Sequence, residues 1–379
     1  MAKIIAVAEN YAFGPIAKLL TITKRLKELG NEITFIGFGS AYQLGLREKF
    51  DKIIKVDTNA KDFPTLMENE FKLNDLVLSS MDRSSVLLAQ KLNIPVIWLD
   101  ILFWWYDEIP DYLLKVDCYI KQDTLYDEDN HIRYAHKIKN LHSVGPMIDL
   151  NSEKVVRKRR QTVVAFGGME ADGVYKIGID SNYPYILTEI LVNQVDFSNF
   201  ERALFTGNER IIKELNKRYG SNKFIFETLP HVKFIAELAS SKLAIIVPGL
   251  ETPLESFKNS VPTIFLPPSN SSQYMQLDNF SREGIALMSI HLADYYPRLE
   301  YMSKSLEERM KIFLDQLHIF ETDKASHSDI AKRINNFIRN DKLHIKQITA
   351  QNKFMSSLKP NGTKLCIEII SKFIQQKGL

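Results

Sequence analysis

The sequence predicts an α/β protein built from two open, parallel-stranded sheets, each wound with helices on both faces. Three observations predict it. The chain has 379 residues, long for one domain and natural for two. Short apolar runs rich in Val and Ile alternate with amphipathic stretches of helical period along most of its length, as strand-helix-strand units require. The stretch from Leu243 to Gly284 reads, in order, as a strand buried on both faces, a glycine turn, a helix N-terminus and a second strand.

In order, Lys3 to Ala8 is an apolar strand, Glu9 to Pro15 a loop, and Ile16 to Leu29 a helix with Ile16, Leu19, Leu20, Thr23 and Leu26 on one face. Gly30-Asn31 ends that helix, and Glu32 to Phe38 is the next strand. Ile53 to Val56 and Asp75 to Ser79 are further strands, with Ser79-Ser80 and Ser84-Ser85 in the polar turn after the latter. Val86 to Leu92 is helical, and Ile94 to Leu99 is a buried strand running into Asp100. Leu102 to Glu108 holds four consecutive aromatics, Phe103, Trp104, Trp105 and Tyr106, which cannot all face one core. They line a ligand cleft, or two pack on the domain and two serve an interface. Asp117 to Ile120 is a late strand, and Ser143 to Pro146 closes the half.

Residues 151–160 are charged and polar and read as a linker. Thr162 to Phe166 opens the second sheet and runs into Gly167-Gly168, where a backbone can approach a ligand closely. Tyr185 to Val192 is a helix, Arg202 to Phe205 a strand ending in Thr206-Gly207-Asn208, Ile211 to Arg218 a helix and Lys223 to Glu227 a strand. Leu229-Pro230-His231 precedes a helix from Val232 to Ala239. Then comes the segment named above. Leu243 to Val247 is strand, Pro248-Gly249 breaks it, and Thr252 is an N-cap, with Pro253 at the first helical position and Glu255 three beyond as in a capping box. The helix ends near Asn259-Ser260, and Val261 to Leu266 is the next strand, stopped by Pro267-Pro268. Helices follow from Ser303 to Gln316, Asp329 to Arg339 and Thr363 to Gln375, while Asp341 to Lys359 reads as an insertion or lid.

Composition narrows the class. Apolar residues at 45% and charged residues at 25% are ordinary for a globular protein. A net charge of +3 is too small to argue for nucleic acid, and the basic run of Lys154 and Arg157 to Arg160 reads as solvated linker. Cys118 and Cys366 stand far apart and give neither a disulfide framework nor metal spacing, so a reducing compartment is expected. The first residues turn polar too soon for a signal peptide, and no apolar run approaches transmembrane length. These readings lead to the expectation of a cytoplasmic protein.

The spacing of the organising segment resembles the nucleotide-sugar glycosyltransferases of the GT-B fold, a group that includes UDP- and dTDP-glycosyltransferases and bacterial lipid-linked N-acetylglucosaminyltransferases. That family shows a Gly-x-x-Thr-x-x-Glu turn and helix, a strand beginning Gly-Val-Pro, a proline, a short loop with Gln, and a later Gly. Gly249, Thr252, Glu255, Val261-Pro262, Pro267, Gln273 and Gly284 stand at those places. Departures are Val247 for a frequent His, Ser260 for Gly, Ser272 for Asp and Gln276 for Asn. The first forty residues also fit the family's opening, with Asn31 in place of a His, and Ala12 stands where members carry a catalytic His.

The resemblance implies two Rossmann-like domains facing across a cleft. An acceptor-binding domain would span 1–150, a linker 151–160, a nucleotide-sugar-binding domain 161–360, and a helix over 361–379 would pack back on the first domain. Ligands of open parallel sheets sit at the carboxyl ends of the strands. The donor would meet Gly167, Gly168, Asn208 and His231, then Gly249, Leu250, Glu251 and Thr252 at a helix N-terminus suited to phosphate. Glu255 would take the ribose diol, unless it serves the capping box alone. Ser272 and Gln273, with Asn270 and Ser271, would face the sugar hydroxyls. Asn10, Tyr11, Phe13, Trp104, Trp105 and Tyr106 would line the acceptor site.

No Asp-x-Asp pair stands at a strand end, so no metal site or other cofactor is expected and the diphosphate is left to helix dipole and backbone N–H groups. With Ala12 in the usual place of the base, the carboxylates on offer are Glu9, Asp100 and, more weakly, Asp107. The expected activity is metal-independent, inverting transfer of a sugar to a separate small-molecule, natural-product or peptide acceptor, with no nucleic-acid partner. Two other readings stay open: a non-catalytic nucleotide-sugar-binding homologue or partner subunit, which Ala12, Val247, Ser260 and Ser272 favour, and a nucleotide-sugar epimerase, which the aromatic loop disfavours.

Overall fold

The computed structural model describes residues 1–124, 126–148, 159–171, 175–176, 181–297 and 305–379. In chain order the elements are β1 (Lys3–Ala8), α1 (Gly14–Glu28), β2 (Glu32–Gly37), α2 (Gly39–Gly45), β3 (Lys52–Lys55), α3 (Phe63–Lys72), β4 (Leu76–Ser80), α4 (Arg83–Lys91), β5 (Val96–Asp100), α5 (Asp111–Leu114), β6 (Cys118–Gln122), α6 (Glu128–Tyr134) and β7 (Leu141–Val144). After these come β8 (Arg159–Ala165), β9 (Glu170–Ala171), β10 (Tyr175–Lys176), α7 (Tyr183–Gln194), β11 (Arg202–Thr206), α8 (Glu209–Tyr219), β12 (Phe224–Phe226), α9 (His231–Ser240), β13 (Ser241–Ile246), α10 (Glu251–Lys258), β14 (Thr263–Phe265) and α11 (Ser271–Arg282). Four helices end the chain: α12 (Leu306–Thr322), α13 (Lys324–Ile338), α14 (Asp341–Ser357) and α15 (Gly362–Lys377).

The chain divides into two compact units, Met1–Asn151 with Leu358–Leu379, and Ser152–Ser357. In the first, seven strands lie in the order β3-β2-β1-β4-β5-β6-β7, all parallel. β4, β5 and β6 are buried along their whole length, as expected for apolar runs with helices on both faces. In the second, five parallel strands lie in the order β12-β11-β8-β13-β14. Both sheets reverse their winding direction once, between β1 and β4 and between β8 and β13. Such switch points leave a crevice at the carboxyl ends of the strands.

α15 belongs to the first unit. Cys366, Ile370, Phe373 and Ile374 are buried on its inner face, which packs against α1, β6 and β7. Thr363 Oγ1 donates to the Ile148 carbonyl at 2.7 Å. A Cβ on Gly145 would lie 1.7 Å from the Lys359 carbonyl oxygen, and one on Gly362 would lie 2.0 Å from the Gly145 oxygen, so only two glycines permit this approach. Beside it the fully buried Lys18 donates from Nζ to the Met147 carbonyl at 2.7 Å.

Several elements differ from the expectations. Of the expected linker, residues 151–158 (with Lys154, Arg157 and Lys158 of the basic run) lie outside the described residues, while Arg159 and Arg160 open β8. Ser84 and Ser85 are not turn residues: Asp82 accepts from the Ser85 N–H at 2.7 Å, which caps α4 and starts it at Arg83. Thr252 is not the cap of α10. The Gly249 N–H turns back onto the Val247 carbonyl at 2.8 Å, the helix begins at Glu251, and Leu250 holds the cap position without a side-chain bond. The segment expected as an insertion or lid, Asp341 to Lys359, is helical over Asp341–Ser357. It forms the continuous helix α14, and the fully buried Gln347 accepts from the Thr263 N–H at 3.1 Å and donates to the Thr263 carbonyl at 2.6 Å. That amide satisfies the outer edge of β14 at Thr263, while at Phe265 the same edge is closed by backbone bonds with Met288 and Ile290.

Candidate active site

At the switch point of the first sheet, β1 and β4 are in register through Ala8 and Ser80, and the Glu9 N–H continues the pairing to the Ser80 carbonyl at 2.9 Å. Beyond those ends the backbone is strained. Ala12 has φ of 50° and Met81 φ of 66°, left-handed values that side chains disfavour and that concentrate at functional turns. Glu9 is half-buried and its carboxyl accepts no hydrogen bond from a described residue. Burial first, then the charge of Asp82, push its pKa up to about 8, against the opposing pull of Arg83. Asp82 itself is fully enclosed. Its Oδ2 accepts from Thr58 Oγ1 at 2.5 Å and its Oδ1 from the Ser85 N–H.

Asp100, the other expected base, is fully buried with both oxygens engaged. Oδ1 accepts from the Leu102 N–H at 2.8 Å and Oδ2 from the Tyr119 hydroxyl. Burial raises its pKa to about 6 against those bonds. It holds the turn after β5 and presents no oxygen to solvent, so it cannot reach an acceptor directly. Asp107 is exposed, and its carbonyl accepts from Arg133 at 2.9 Å.

Of the expected acceptor residues, Tyr11, Phe13 and Trp105 are half-buried, while Trp104 and Tyr106 are buried. Three of the four aromatics in the loop therefore do face inward. Phe103 packs edge-on to Tyr119 and Trp104 edge-on to Tyr126. Asn130, which carried no signal in the sequence, bonds the Phe103 and Tyr106 carbonyls at 2.8 Å each and fixes the loop. The indole N–H groups of Trp104 and Trp105 are buried without a partner among the described residues. Asn10 is occupied internally: its Oδ1 accepts from the Ser40 N–H at 2.8 Å and the Ser40 hydroxyl at 2.7 Å, holding the turn after β2.

At the switch point of the second sheet, the loops after β8 and β13 carry the expected donor residues. Gly167 has φ of 71°, and its carbonyl accepts from the Asn208 N–H at 3.0 Å. Asn208 also donates from Nδ2 to the Gly168 carbonyl at 3.1 Å and caps α8 with Oδ1. Gly249 borders open space, with nothing within 4 Å of a Cβ built there. Leu250 and Thr252 are half-buried and Glu251 buried. The N–H groups of Glu251 and Thr252 stand in the first turn of α10, where a helix offers no acceptor of its own. Glu255 is free of any capping box and instead meets His231, with Nε2 at 2.8 Å from Oε1. Asn270 is an N-cap for α11 and not a free amide, bonding the Gln273 N–H at 2.9 Å and the Ser272 hydroxyl at 2.8 Å. Gln273 Oε1 is taken by the N–H and hydroxyl of Ser269. The Ser271 hydroxyl is buried with no partner among the described residues. Among the described residues no three His, Cys, Asp or Glu side chains gather as a metal site, and no helix is long and apolar enough to cross a membrane.

Asp82 and Thr58, bonded to each other beside the candidate site, carried no role in the sequence reasoning. The signal was present as an Asp three residues before Ser85, a cap spacing obscured by the run of serines.

No protein-family model and no curated protein sequence matches the chain. Solved structures do. Os79 from O. sativa in complex with UDP has a TM-score of 0.59 at 11% identity, covering 98% of this chain and 100% of that one. Arabidopsis thaliana UGT89C1 complexed with UDP has a TM-score of 0.55 at 12% identity over 100% of both chains. Acinetobacter baumannii MurG has a TM-score of 0.51 at 13% identity, over 98% of this chain and 100% of that one. The likeness shows the fold: two Rossmann-like α/β units of the GT-B type.

Proposed function

We propose that this chain transfers a glycosyl group from a nucleoside diphosphate sugar to a separate acceptor, with inversion and without a metal. The observation that carries the reading is Glu9: a half-buried carboxylate with raised proton affinity, at the switch point of a sheet in a fold whose solved examples include proteins recorded with UDP. The second unit holds the donor. Its diphosphate lies at the N-terminus of α10, where the Glu251 and Thr252 N–H groups and the helix dipole take the negative charge. Glu255 accepts from the ribose diol once it parts from His231. The first unit supplies the acceptor loops and the base.

Glu9 removes the proton from the acceptor nucleophile, the nucleophile bonds to the anomeric carbon, and the bond from that carbon to the diphosphate oxygen breaks. The developing charge on the leaving diphosphate is met by the first turn of α10. The unpartnered indole N–H groups of Trp104 and Trp105 suit an acceptor that carries oxygen atoms able to accept hydrogen bonds.

Melting-temperature shifts with a panel of nucleoside diphosphates in excess EDTA test the donor half. A ligand at one hundred times its Kd adds about 2.7 kcal/mol of stability, which is readily seen. A panel without any shift removes the reading. A second reading, a nucleotide-sugar-binding protein without turnover, is favoured by Ala12, a methyl group where the resembled family has its base. Titration calorimetry that shows binding of a nucleotide sugar never consumed with any acceptor would select it.

A further inference from the structure

Arg83 opens α4 at the switch point of the first sheet, three residues after Ser80, whose carbonyl accepts from the Glu9 N–H. Its side chain is exposed and has no carboxylate partner among the described residues. Arg25, Arg159, Arg202, Arg218, Arg333 and Arg339 each have one. Yet the Arg83 guanidinium has a fixed support, since its carbon stands over the Tyr106 ring, 5.7 Å from the centre. Tyr106 is buried, its hydroxyl donates to Met81 Sδ at 3.7 Å, and Asn130 bonds its carbonyl. A ring face holds a guanidinium by its flat side and leaves the fork of N–H donors along its edge unused. The same loop carries the indole N–H groups of Trp104 and Trp105, buried without a partner among the described residues. The guanidinium and both indoles only donate. Nearby carboxylates do not answer them. Asp82 accepts from Thr58 and Ser85, and Glu9, chiefly through burial, holds its proton up to about pH 8.

We propose that Arg83 is a specificity-determining residue of the acceptor site, and that the acceptor carries an anionic oxygen group, a carboxylate or a phosphate, which the guanidinium grips with its fork while Tyr106 supports it from the other side. The inference rests on the reading of the first unit as the acceptor half and narrows the class of acceptor within it. Arg83 acts through binding alone, and no bond forms or breaks there. A carboxylate or phosphate matches the guanidinium edge with two parallel hydrogen bonds. A neutral acceptor of the same shape leaves the guanidinium to water and loses that grip.

The chain's 3 tryptophans, Trp98, Trp104 and Trp105, lie in β5 or in the loop after it, so the tryptophan emission of the full chain reports on this place alone. The emission is titrated with benzoate and phenyl phosphate, and with benzamide and phenol as their neutral counterparts. At least one of the two anions is expected to bind saturably and about tenfold or more tightly than its counterpart, the scale of a hydrogen bond to a charged group. Which of them binds better tells a carboxylate from a phosphate. Arg83→Gln, an exposed change expected to keep the parent's melting temperature, should erase the preference. Arg83→Lys, which keeps the charge and loses the fork, should retain part of it. Equal binding of charged and neutral rings, no saturable binding of any of the four, or a preference that survives Arg83→Gln overturns the inference. If the preference depends on Arg83 while no nucleoside diphosphate raises the melting temperature, the anion site stands and the reading of glycosyl transfer falls.

Discussion

His231 Nε2 lies 2.8 Å from Glu255 Oε1, joining the first residue of α9 to the middle of α10. Glu255 is only 3% exposed, so in this state its carboxylate is satisfied from within the protein. A ribose diol that uses Glu255 must share it with His231 or displace it. Glu255→Gln should weaken UDP binding by about tenfold or more, the scale of losing a hydrogen bond to a charged group. His231→Ala leaves the buried carboxylate without this partner and should cost about 1–3 kcal/mol of stability. Calorimetry and urea denaturation separate the two effects, and unchanged affinity in Glu255→Gln would move the ribose elsewhere.

Glu9 links stability to pH. Its pKa rises from the ordinary 4.5 to about 8 on folding, so the folded chain binds this proton more tightly than the unfolded chain does. The contribution is complete below pH 4.5 and is lost as the pH climbs through the interval up to about 8. Glu9→Gln, which mimics the neutral form, should therefore lose less melting temperature than the parent between pH 5 and pH 9. The same variant should keep donor affinity and lose roughly two to four orders of magnitude in turnover. In the parent, turnover should rise with pH until Glu9 has ionised, and a profile flat from pH 6 to pH 9 would contradict this.

Two glycines should answer differently to the same methyl group. Gly145→Ala drives a Cβ into the Lys359 carbonyl, a backbone atom that cannot swing aside. It should destabilise the first unit by about 2 kcal/mol or more. Gly249→Ala meets open space and should stay within about 0.5 kcal/mol of the parent. Any loss of diphosphate binding in Gly249→Ala then reports on the ligand, since denaturation would show the fold intact.

Gln347→Leu removes the amide that satisfies Thr263 N–H and C=O on the outer edge of β14. Two buried backbone groups are left unpaired, at a cost of about 1–3 kcal/mol each. Hydrogen exchange at Thr263 should accelerate in this variant. Unchanged protection there would mean that another group closes the edge.

The strands were the most readable part of the sequence. Lys3 to Ala8 is apolar, β-branched and bounded by polar residues, and it forms β1 with those ends. Local signals failed where a backbone turn outweighed them. Thr252, Pro253 and Glu255 spell a helix start, yet the bond from Gly249 N–H to Val247 begins α10 two residues earlier. α14 was opaque because its fully buried positions include Gln347 and Gln351, polar residues that add nothing to an apolar period. At the site, Glu9 was legible from its place after the first strand. Asp100 looked equivalent from the same rule, and only the bonds from Leu102 and Tyr119 distinguish it. That Asp82 stands near Glu9 depends on which strands are neighbours in the sheet, a fact that register partners 72 apart do not carry locally.

The membership of α15 in the first unit bears on how the protein is made. During synthesis the sheet of the first unit leaves the ribosome before Ser152–Ser357, but α15, which packs on α1, β6 and β7, follows only after that stretch. The middle of the chain, Ser152–Ser357, is a contiguous unit and is wholly translated first. The later-encoded unit can thus finish folding while the earlier one waits with an uncovered apolar flank, the reverse of the usual order in which domains mature from the N-terminus. A stop codon just before α15 would strike a core encoded upstream of the whole second unit.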